Sequence, residues 1–412
     1  DVVKFLDLFA GIGGFRLGME SAGHKCIGFC EIDKFARESY KAIHNTKGEI
    51  ELHDITAVSD ESIRGFGSVD IICGGFPCQA FSIAGHRRGF EDTRGTLFFE
   101  ICRFASVLRP KYLFLENVRG LLNHDGGATF ETIIRTLDEL GYDVEWQVLN
   151  SKNFGVPQNR ERVFIIGHLR GERTRNVFPI SGENQSTSSQ SVVKIGNVNP
   201  SGNGMNGEVY QADGLAPTLT TNKGEGQKIA VKSNTIKQFG VLQPNFNQCG
   251  VVYETDGIAP TIRAYQGGGL EPKIIQRGHG YNQGGEHDIA PTLTRNSYHE
   301  NNVLKITEAT SQGYAEAEVW DSVNLSHLNS KTRRGRVGKK IANTLLTGES
   351  QGVVEPDFRI RKLTPRECWR LQGFPDWAFD KAKEVNSNSQ LYKQAGNSVT
   401  VNVIAAIAKE LK

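Results

Sequence analysis

No stretch of the 412-residue sequence approaches the roughly 20 consecutive apolar residues of a membrane-spanning helix, which argues against a membrane protein. The opening residues, DVVKFLDLFAG, show neither the basic start nor the small-residue cleavage site of a secretory signal, so a cytoplasmic protein is expected. The seven cysteines are an odd number without a CxxC pair. That excludes a disulfide framework and suits a reducing compartment. The closest pair, CIGFC at 26–30, is followed by no second ligand pair at zinc spacing. It reads as two packed thiols on an apolar strand, and no metal site is expected. An excess of one charge sign is missing too: the net charge is only +2. Any binding of nucleic acid must therefore rely on locally concentrated cations. One such place exists, KTRRGRVGKK at 331–340, although a run of this kind taken alone is ordinarily a solvated loop.

What is present is an ordinary soluble composition, 38% hydrophobic and 23% charged, in a chain long enough for two or three domains. Residues 1–170 alternate apolar runs with amphipathic stretches. The strand candidates are VVKFLDLF, KCIGFCEI, VDIICGG, KYLFLEN, DVEWQVLN and ERVFIIGHL; KFARESYKAIH, GTLFFEICRFASVL and TFETIIRTLDEL are helix candidates. This alternation predicts an α/β sheet with helices on both faces, and the continuously apolar VDIIC and YLFL fit strands covered on both sides. From about 171 the texture changes. SGENQSTSSQS is polar and low in complexity, and 192–355 is rich in Gly, Asn and Thr without a long helical pattern. This part repeats itself, as DGLAPTL at 213, DGIAPTI at 256, DIAPTL at 288 and a degraded KIANTLL at 340. The unequal spacing excludes a regular solenoid and favours short strands joined by glycine turns. Such repeats either scaffold a small β domain or present several loops to a long ligand. Near 360 the α/β texture returns, ending in a helix whose stripe Val399, Val403, Ile407 and Leu411 predicts packing against the first domain. Asn397 or Ser398 is expected to cap its start.

DLFAGIGGFRLG, 7–18, runs from a strand through glycines into a helix, where Gly11 and Gly13 let backbone approach a ligand at the helix N-terminus. A tight turn alone would explain the glycines. Glu31, at the end of the next strand, is placed to bind ribose hydroxyls, and Asp54, at the end of the third, to accept from an adenine amino group. Arg16 stands where a dinucleotide fingerprint wants its third glycine. A cofactor with ribose and adenine but no pyrophosphate fits better, and S-adenosylmethionine is of that kind; NAD is the other candidate.

GGFPCQAFS, 74–82, puts Cys78 after a proline in the loop beside that crevice. A thiolate there can attack an electron-poor carbon. LFLENVRG places Glu116 at the tip of the next strand, where partial desolvation would raise its pKa and let it donate a proton. PQNRERVFIIG puts Arg160 and Arg162 on another strand edge, alternate residues facing one way. Each has an ordinary rival: a packed cysteine, a helix-capping glutamate, surface ion pairs. All of them meeting at the C-terminal end of one sheet points to a catalytic site.

DLFAGIGGFRLG, GGFPCQAFS, ENV, QNRERVFIIG, RKLTPRECWRLQGFP and QAGNSV, in this order, resemble the motifs of the DNA (cytosine-5)-methyltransferases of bacterial or phage restriction-modification type. The likeness covers about 1–170 and 358–412; 171–357 matches only in placement, as a variable target-recognition region. It implies a doubly wound, Rossmann-like α/β methyltransferase domain over 1–170, a smaller β-rich target-recognition domain inserted at 171–357, and a C-terminal segment, 358–412, returning to the first. It further implies that Cys78 adds to C6 of cytosine, that Glu116 holds or protonates N3, and that Arg162 binds O2 with the help of Arg160. Pro77 would fix the loop and Phe76 offer its backbone to the cytosine amino group. Toward S-adenosylmethionine, Phe9 would stack on adenine, Gly11 and Gly13 approach the methionine part, and Glu31 bind ribose. Asp54, Leu97, Asn397 and Val399 complete the implied pocket, while Ile32 stands where many members carry an aromatic residue. The segment 80–96 resembles the mobile loop that closes over a flipped base, with Ser82, Arg87, Arg88 and Arg94 toward DNA. Arg333, Arg334 and Arg336 are further DNA-binding candidates.

The expected partner is double-stranded DNA, read by a monomer, with any cognate restriction endonuclease acting without direct contact. A transfer-RNA cytosine methyltransferase is the nearest rival, but those relatives usually have a compact middle region. A non-catalytic DNA-binding regulator would not need Cys78, Glu116 and Arg162. The Thr-Leu-type pairs Thr218-Leu219, Thr261-Ile262, Thr292-Leu293 and Thr344-Leu345 leave open whether there is one recognition module or several.

Overall fold

The computed structural model describes residues 3–77, 96–182, 302–326, 330, 332–348, 350–355 and 360–412, together with short strands between 194 and 287. Its main feature is a seven-stranded sheet of β1 (Lys4–Leu8), β2 (Lys25–Cys30), β3 (Ile50–Leu52), β4 (Ile71–Gly75), β5 (Tyr112–Val118), β6 (Tyr142–Asn150) and β7 (Glu161–Leu169). The spatial order is 3-2-1-4-5-7-6. β1 to β5 pair in parallel, and β7 enters antiparallel between β5 and β6. The α/β alternation read from the sequence is therefore the fold, with β4 and β5 adjacent at the centre.

Period-two alternation divides the strand side chains between two cores. Leu6, Leu8, Ile72, Leu113, Leu115 and Val163 face one side. There they meet α4 (Leu97–Leu108) and α5 (Ala128–Glu139) through Phe98, Ile101, Phe104, Ile133 and Leu137. Phe5, Ile71, Cys73, Phe114 and Ile166 face the other side, against α1 (Gly14–Ser21) and the last helix, α9 (Val401–Ala408). Each fully buried Phe, Leu or Ile contributes about 1.5–3 kcal/mol. Cys26 and Cys30 are the packed thiols expected on β2; burial pushes both up to about 12.

α2 (Lys34–Ile43) and α3 (Asp60–Arg64) flank β2 to β4 in sequence, and α6 (Pro365–Leu371), α7 (Asp376–Val385) and α8 (Asn388–Asn397) precede α9. Caps set the helix starts: Asp33 accepts the Phe35 and Ala36 N–H groups at α2, and Thr364 with Glu367 forms a reciprocal capping box at α6. The stripe of the last helix is buried as predicted. Its cap is not: the N-cap is Thr400, without a side-chain cap bond, because Asn397 still belongs to α8 and Ser398 turns its hydroxyl to the Val399 carbonyl. α1 receives α9 on a flat glycine face. A Cβ on Gly14 would lie 2.8 Å from Val399 Cγ2, and one on Gly18 2.6 Å from Ile404 Cβ. Arg16, in place of the dinucleotide glycine, is buried under Tyr40 and bonded to both Glu49 oxygens and to Glu20.

Two compact units emerge, 1–183 with 263–412, and 184–262. The second holds β8 (Lys194–Asn197), β9 (Glu208–Gln211) and β10 (Lys228–Ala230) in one sheet, and a hairpin of β11 (Gln238–Val241) and β12 (Val251–Tyr253). Within the first unit, β13 (Lys273–Gln276), β14 (Gly285–His287), β15 (Asn302–Thr307) and β16 (Tyr314–Ala317) form an antiparallel sheet of order 14-13-15-16. A second, of order 18-17-19-20, comprises β17 (Ser322–Asn324), β18 (Val337–Gly338), β19 (Gln351–Val354) and β20 (Ile360–Lys362). Leu304, Ile306, Ala317, Val323, Val354 and Ile360 give the two sheets a common small core.

Candidate active site

β4 and β5 end side by side, with Gly75 opposite Glu116. A Cβ at position 75 would stand 2.9 Å from Glu116 Oε2, so the glycine leaves room for the carboxyl group. Across β5, antiparallel β7 sets Arg162 opposite Val118, and its Nε reaches Glu116 Oε1 at 3.0 Å. Glu116 is only 8% exposed. Burial raises its pKa, opposed by the charges of Arg162 and Arg160. The pair therefore joins a carboxyl group displaced toward its protonated form to a cation that orients it, the arrangement a general acid needs.

Arg160 departs from the expected strand edge. It precedes β7 and is 3% exposed. Its guanidinium donates to the carbonyls of Leu345 (3.3 Å), Gly396 (3.0 Å) and Ser398 (2.9 Å). Burial, and then Arg162, lowers its pKa, but three carbonyl acceptors and the intrinsic basicity of a guanidinium keep it charged. Arg160 is thus a clamp under the site, tying 345, 396 and 398 to the end of the sheet. The Thr344-Leu345 pair is part of the same joint: Thr344 Oγ1 donates to the Asn159 carbonyl, and the Leu345 N–H donates to Gln158 Oε1. The other three Thr-Leu-type pairs lie outside the described residues.

The glycine turn forms the opposite wall. Phe9, Gly11 and Gly13 all have left-handed φ, of 54°, 56° and 87°. At Gly11 the space a Cβ would occupy is open, and its N–H donates to Glu31 Oε2 at 2.8 Å, while the Asp33 N–H donates to Oε1 at 2.7 Å. Glu31 is thereby fixed at the mouth of the turn, its pKa raised by burial. A cleft of about 480 Å³ is lined by Phe9, Gly11, Glu31, Ile32, Pro77, Leu97 and Asn397, and also by Glu116, Arg160 and Arg162. Three expected cofactor residues lie off it. Gly13 is the N-cap of α1 against His44, Val399 packs on Gly14, and Asp54 caps a short turn through Thr56 N (2.9 Å) and Oγ1 (2.7 Å). Cys78, Ser82, Arg87, Arg88 and Arg94 fall outside the described residues. Of the remaining DNA candidates, Arg333 and Arg334 are exposed, whereas Arg336 is 2% exposed and belongs to the interior of its sheet.

Two residues that the motifs alone did not single out hold this site together. Asn117 Nδ2 donates to the Phe76 carbonyl at 2.7 Å, fixing the chain two residues before Cys78; its signal was the ENV motif, read only for its glutamate. His44 Nε2 meets the Ile12 carbonyl at 3.1 Å behind the glycine turn. Burial and the Arg16 charge lower its pKa to about 3, so the imidazole is neutral and donates. Nothing in the sequence around His44 marks it, since it follows α2 as an ordinary helix-end residue.

An open, mostly parallel sheet with a glycine turn, an acid after the second strand and a carboxyl–arginine pair at the next strand ends defines an enzyme of the nucleotide-cofactor α/β class. The comparisons narrow this. The family model of the C-5 cytosine-specific DNA methylases matches residues 3–412. The chain is 33% identical over 481 residues to the orphan methyltransferase M.SPRI of Bacillus phage SPR, covering 99% of this chain and 97% of that one. It is 34% identical over 431 residues to the type II methyltransferase M.BanI of Aneurinibacillus aneurinilyticus, covering 99% and 95%. A solved prophage-encoded chain of E. coli, assigned as a DNA modification methyltransferase, shares the fold with a TM-score of 0.50 at 21% identity, over 99% and 98% of the two chains. The chain belongs to the C-5 cytosine-specific DNA methylase family. It is a DNA (cytosine-5)-methyltransferase, and S-adenosylmethionine is its methyl donor. The cleft suits that donor: its volume lies within the roughly 300–1,000 Å³ of small-molecule sites, Glu31 offers carboxylate oxygens for ribose hydroxyls, and Gly11 leaves open the space its missing side chain would fill. No helix among the described residues is long and apolar enough to cross a membrane.

Proposed function

We propose that the cleft between the glycine turn and the Glu116–Arg162 pair methylates C5 of a cytosine within a specific sequence of double-stranded DNA. The observation that carries this reading is the 3.0 Å pair of a buried carboxyl group and Arg162 in the same cleft as the Gly11–Glu31 wall. The target base leaves the stack to reach it, at a cost of about a few kcal/mol. Cys78 adds through sulfur to C6, and the electron pair displaced into the ring is met at N3 by the proton of Glu116, while Arg162 holds O2 and orients the carboxyl group. C5 is then nucleophilic. Phe9, Glu31 and Leu97 would hold S-adenosylmethionine, which would supply the methyl group as an electrophile, the sulfonium leaving as the thioether S-adenosylhomocysteine. Loss of the C5 proton, departure of the Cys78 sulfur and return of the N3 proton to Glu116 restore the ring and the enzyme. Asn117 keeps the cysteine loop in register through Phe76, and Arg160 keeps the floor closed.

In this reading 1–170 carries catalysis, 171–357 target recognition, and 358–412 the returning segment. The protein works as a cytoplasmic monomer in a bacterial or phage setting, and a cognate endonuclease need not touch it. The test is expression in a host without cytosine methylation and mapping of 5-methylcytosine, beside Cys78→Ala. Marks at a defined motif, absent in the variant, are expected. Marks in transfer RNA and none in DNA would overturn the reading.

A further inference from the structure

The cations of 331–340 look alike in sequence but have different surroundings. Arg336 is buried, and its carbonyl accepts from the Asn324 N–H (2.8 Å) and Asn343 Nδ2 (3.1 Å). Lys339 pairs at 2.8 Å with the buried Asp321, which also accepts the Glu318 and Lys340 N–H groups. Arg333 donates to Ser326 Oγ at 3.2 Å, and its carbonyl accepts from the Ala309 N–H. Arg334 is exposed and makes no hydrogen bond or ion pair with another described residue.

Its backbone, by contrast, is fixed from both sides. Glu308 accepts the Gly335 N–H through Oε1 (2.7 Å) and the Arg336 N–H through Oε2 (3.1 Å), and Gly335 takes a left-handed φ of 67°. The loop is also continuous with the floor of the cleft. Ser322 Oγ holds the Ile341 carbonyl, Ala342 bridges to Gln158, and Leu345 is bonded to Arg160. A cation that only neutralises phosphate needs no such mounting. A planar guanidinium that reads a base edge does, because its two donors must meet two acceptors within about 0.5 Å.

We infer that Arg334 is a specificity-determining residue that reads a guanine of the target sequence through O6 and N7, while Arg333 contributes phosphate contact and Arg336 holds the loop. This rests on the DNA reading above and adds a base to it. The experiment maps 5-methylcytosine made by the full chain and by Arg334→Ala, Arg334→Lys and Arg333→Ala. It then measures kcat/KM on duplexes in which each G·C pair of the motif is replaced in turn, at several salt concentrations. Arg334→Ala is expected to lose discrimination at one guanine position by roughly 5- to 150-fold, with the other positions unchanged. Arg334→Lys, which keeps the charge but not the fork, is expected to relax the same position with the salt slope retained. Arg333→Ala should weaken all duplexes alike and lower the salt slope by about 1. Unchanged discrimination in Arg334→Ala, or a uniform loss at every position, overturns the assignment. So does full discrimination by Arg334→Lys where the alanine variant is inactive. Absence of DNA methylation by the unaltered chain strikes the function proposed above; an unaltered motif in the Arg334 variants strikes only the role of Arg334.

Discussion

The end of the main sheet and the loop at 333–336 both display arginines, and they solve opposite problems. At the sheet end the charged groups are buried and face one another: Arg162 holds Glu116, and Arg160 holds three carbonyls. In the loop the fixed element is the backbone, gripped by Glu308, and the guanidinium of Arg334 is left open to solvent. Chemistry needs a group whose proton affinity has been shifted, which requires burial. Recognition needs a group whose position is fixed but whose donors are still unused, which requires exposure on a stiff support.

The largest effect that would sharpen this contrast is at Glu116. Glu116→Gln should lower turnover by about 10²–10⁴-fold while S-adenosylmethionine binding by calorimetry is unchanged; retained turnover would remove Glu116 from the chemistry. Arg160 and Arg162, two residues apart, should then separate. Arg160→Ala leaves buried carbonyls without donors and should cost roughly 3 kcal/mol or more in urea unfolding. Arg162→Ala should cost less than about 1 kcal/mol, because Glu116 can take up a proton instead, yet lose most activity. Equal stability losses would break the distinction. Gly13→Ala, whose Cβ would fall on His44 Nε2 at a left-handed φ, should weaken cofactor binding by about tenfold or more with cytosine-DNA affinity kept.

The smallest effect concerns pH. Because the folded-state pKa of Glu116 lies above its unfolded value, its contribution to stability is complete below the unfolded pKa and is lost as pH rises through the folded one. Glu116→Gln should therefore gain in Tm relative to the unaltered chain as pH rises above the unperturbed carboxyl value of about 4.3. A difference independent of pH would mean that the carboxyl group titrates normally.

Much of the sheet end was legible because strands and motifs coincide there: VDIICGG and KYLFLEN are central strands whose tips carry the loop before Cys78 and Glu116. Glu31 and Gly11 were legible for the same reason, each following a strand of clear apolar pattern. Arg160 was legible only in part: it lines the same cleft as Arg162, as alternation along QNRER predicts, but nothing in the motif marks the three carbonyls that its guanidinium holds. Arg336 was misread as a surface cation because charge runs carry no information about which backbone is paired; β17 and β18 draw it inward. The helix cap at 397–398 failed because α8 uses those residues to end, and a cap signal does not distinguish an ending from a beginning.

The glycine face of α1 has a consequence for the order in which the protein can work. A ribosome that has completed the seven strands has produced α1 with Gly14 and Gly18 uncovered, and Arg160 without any of its three carbonyls. Only after the whole intervening stretch has been translated do 396 and 398 arrive and α9 seal that face. A nascent chain therefore possesses the parts for methyl transfer long before it possesses the floor beneath them. The stretch proposed above for recognition is thus synthesised before the clamp beneath Glu116 and Arg162 can close.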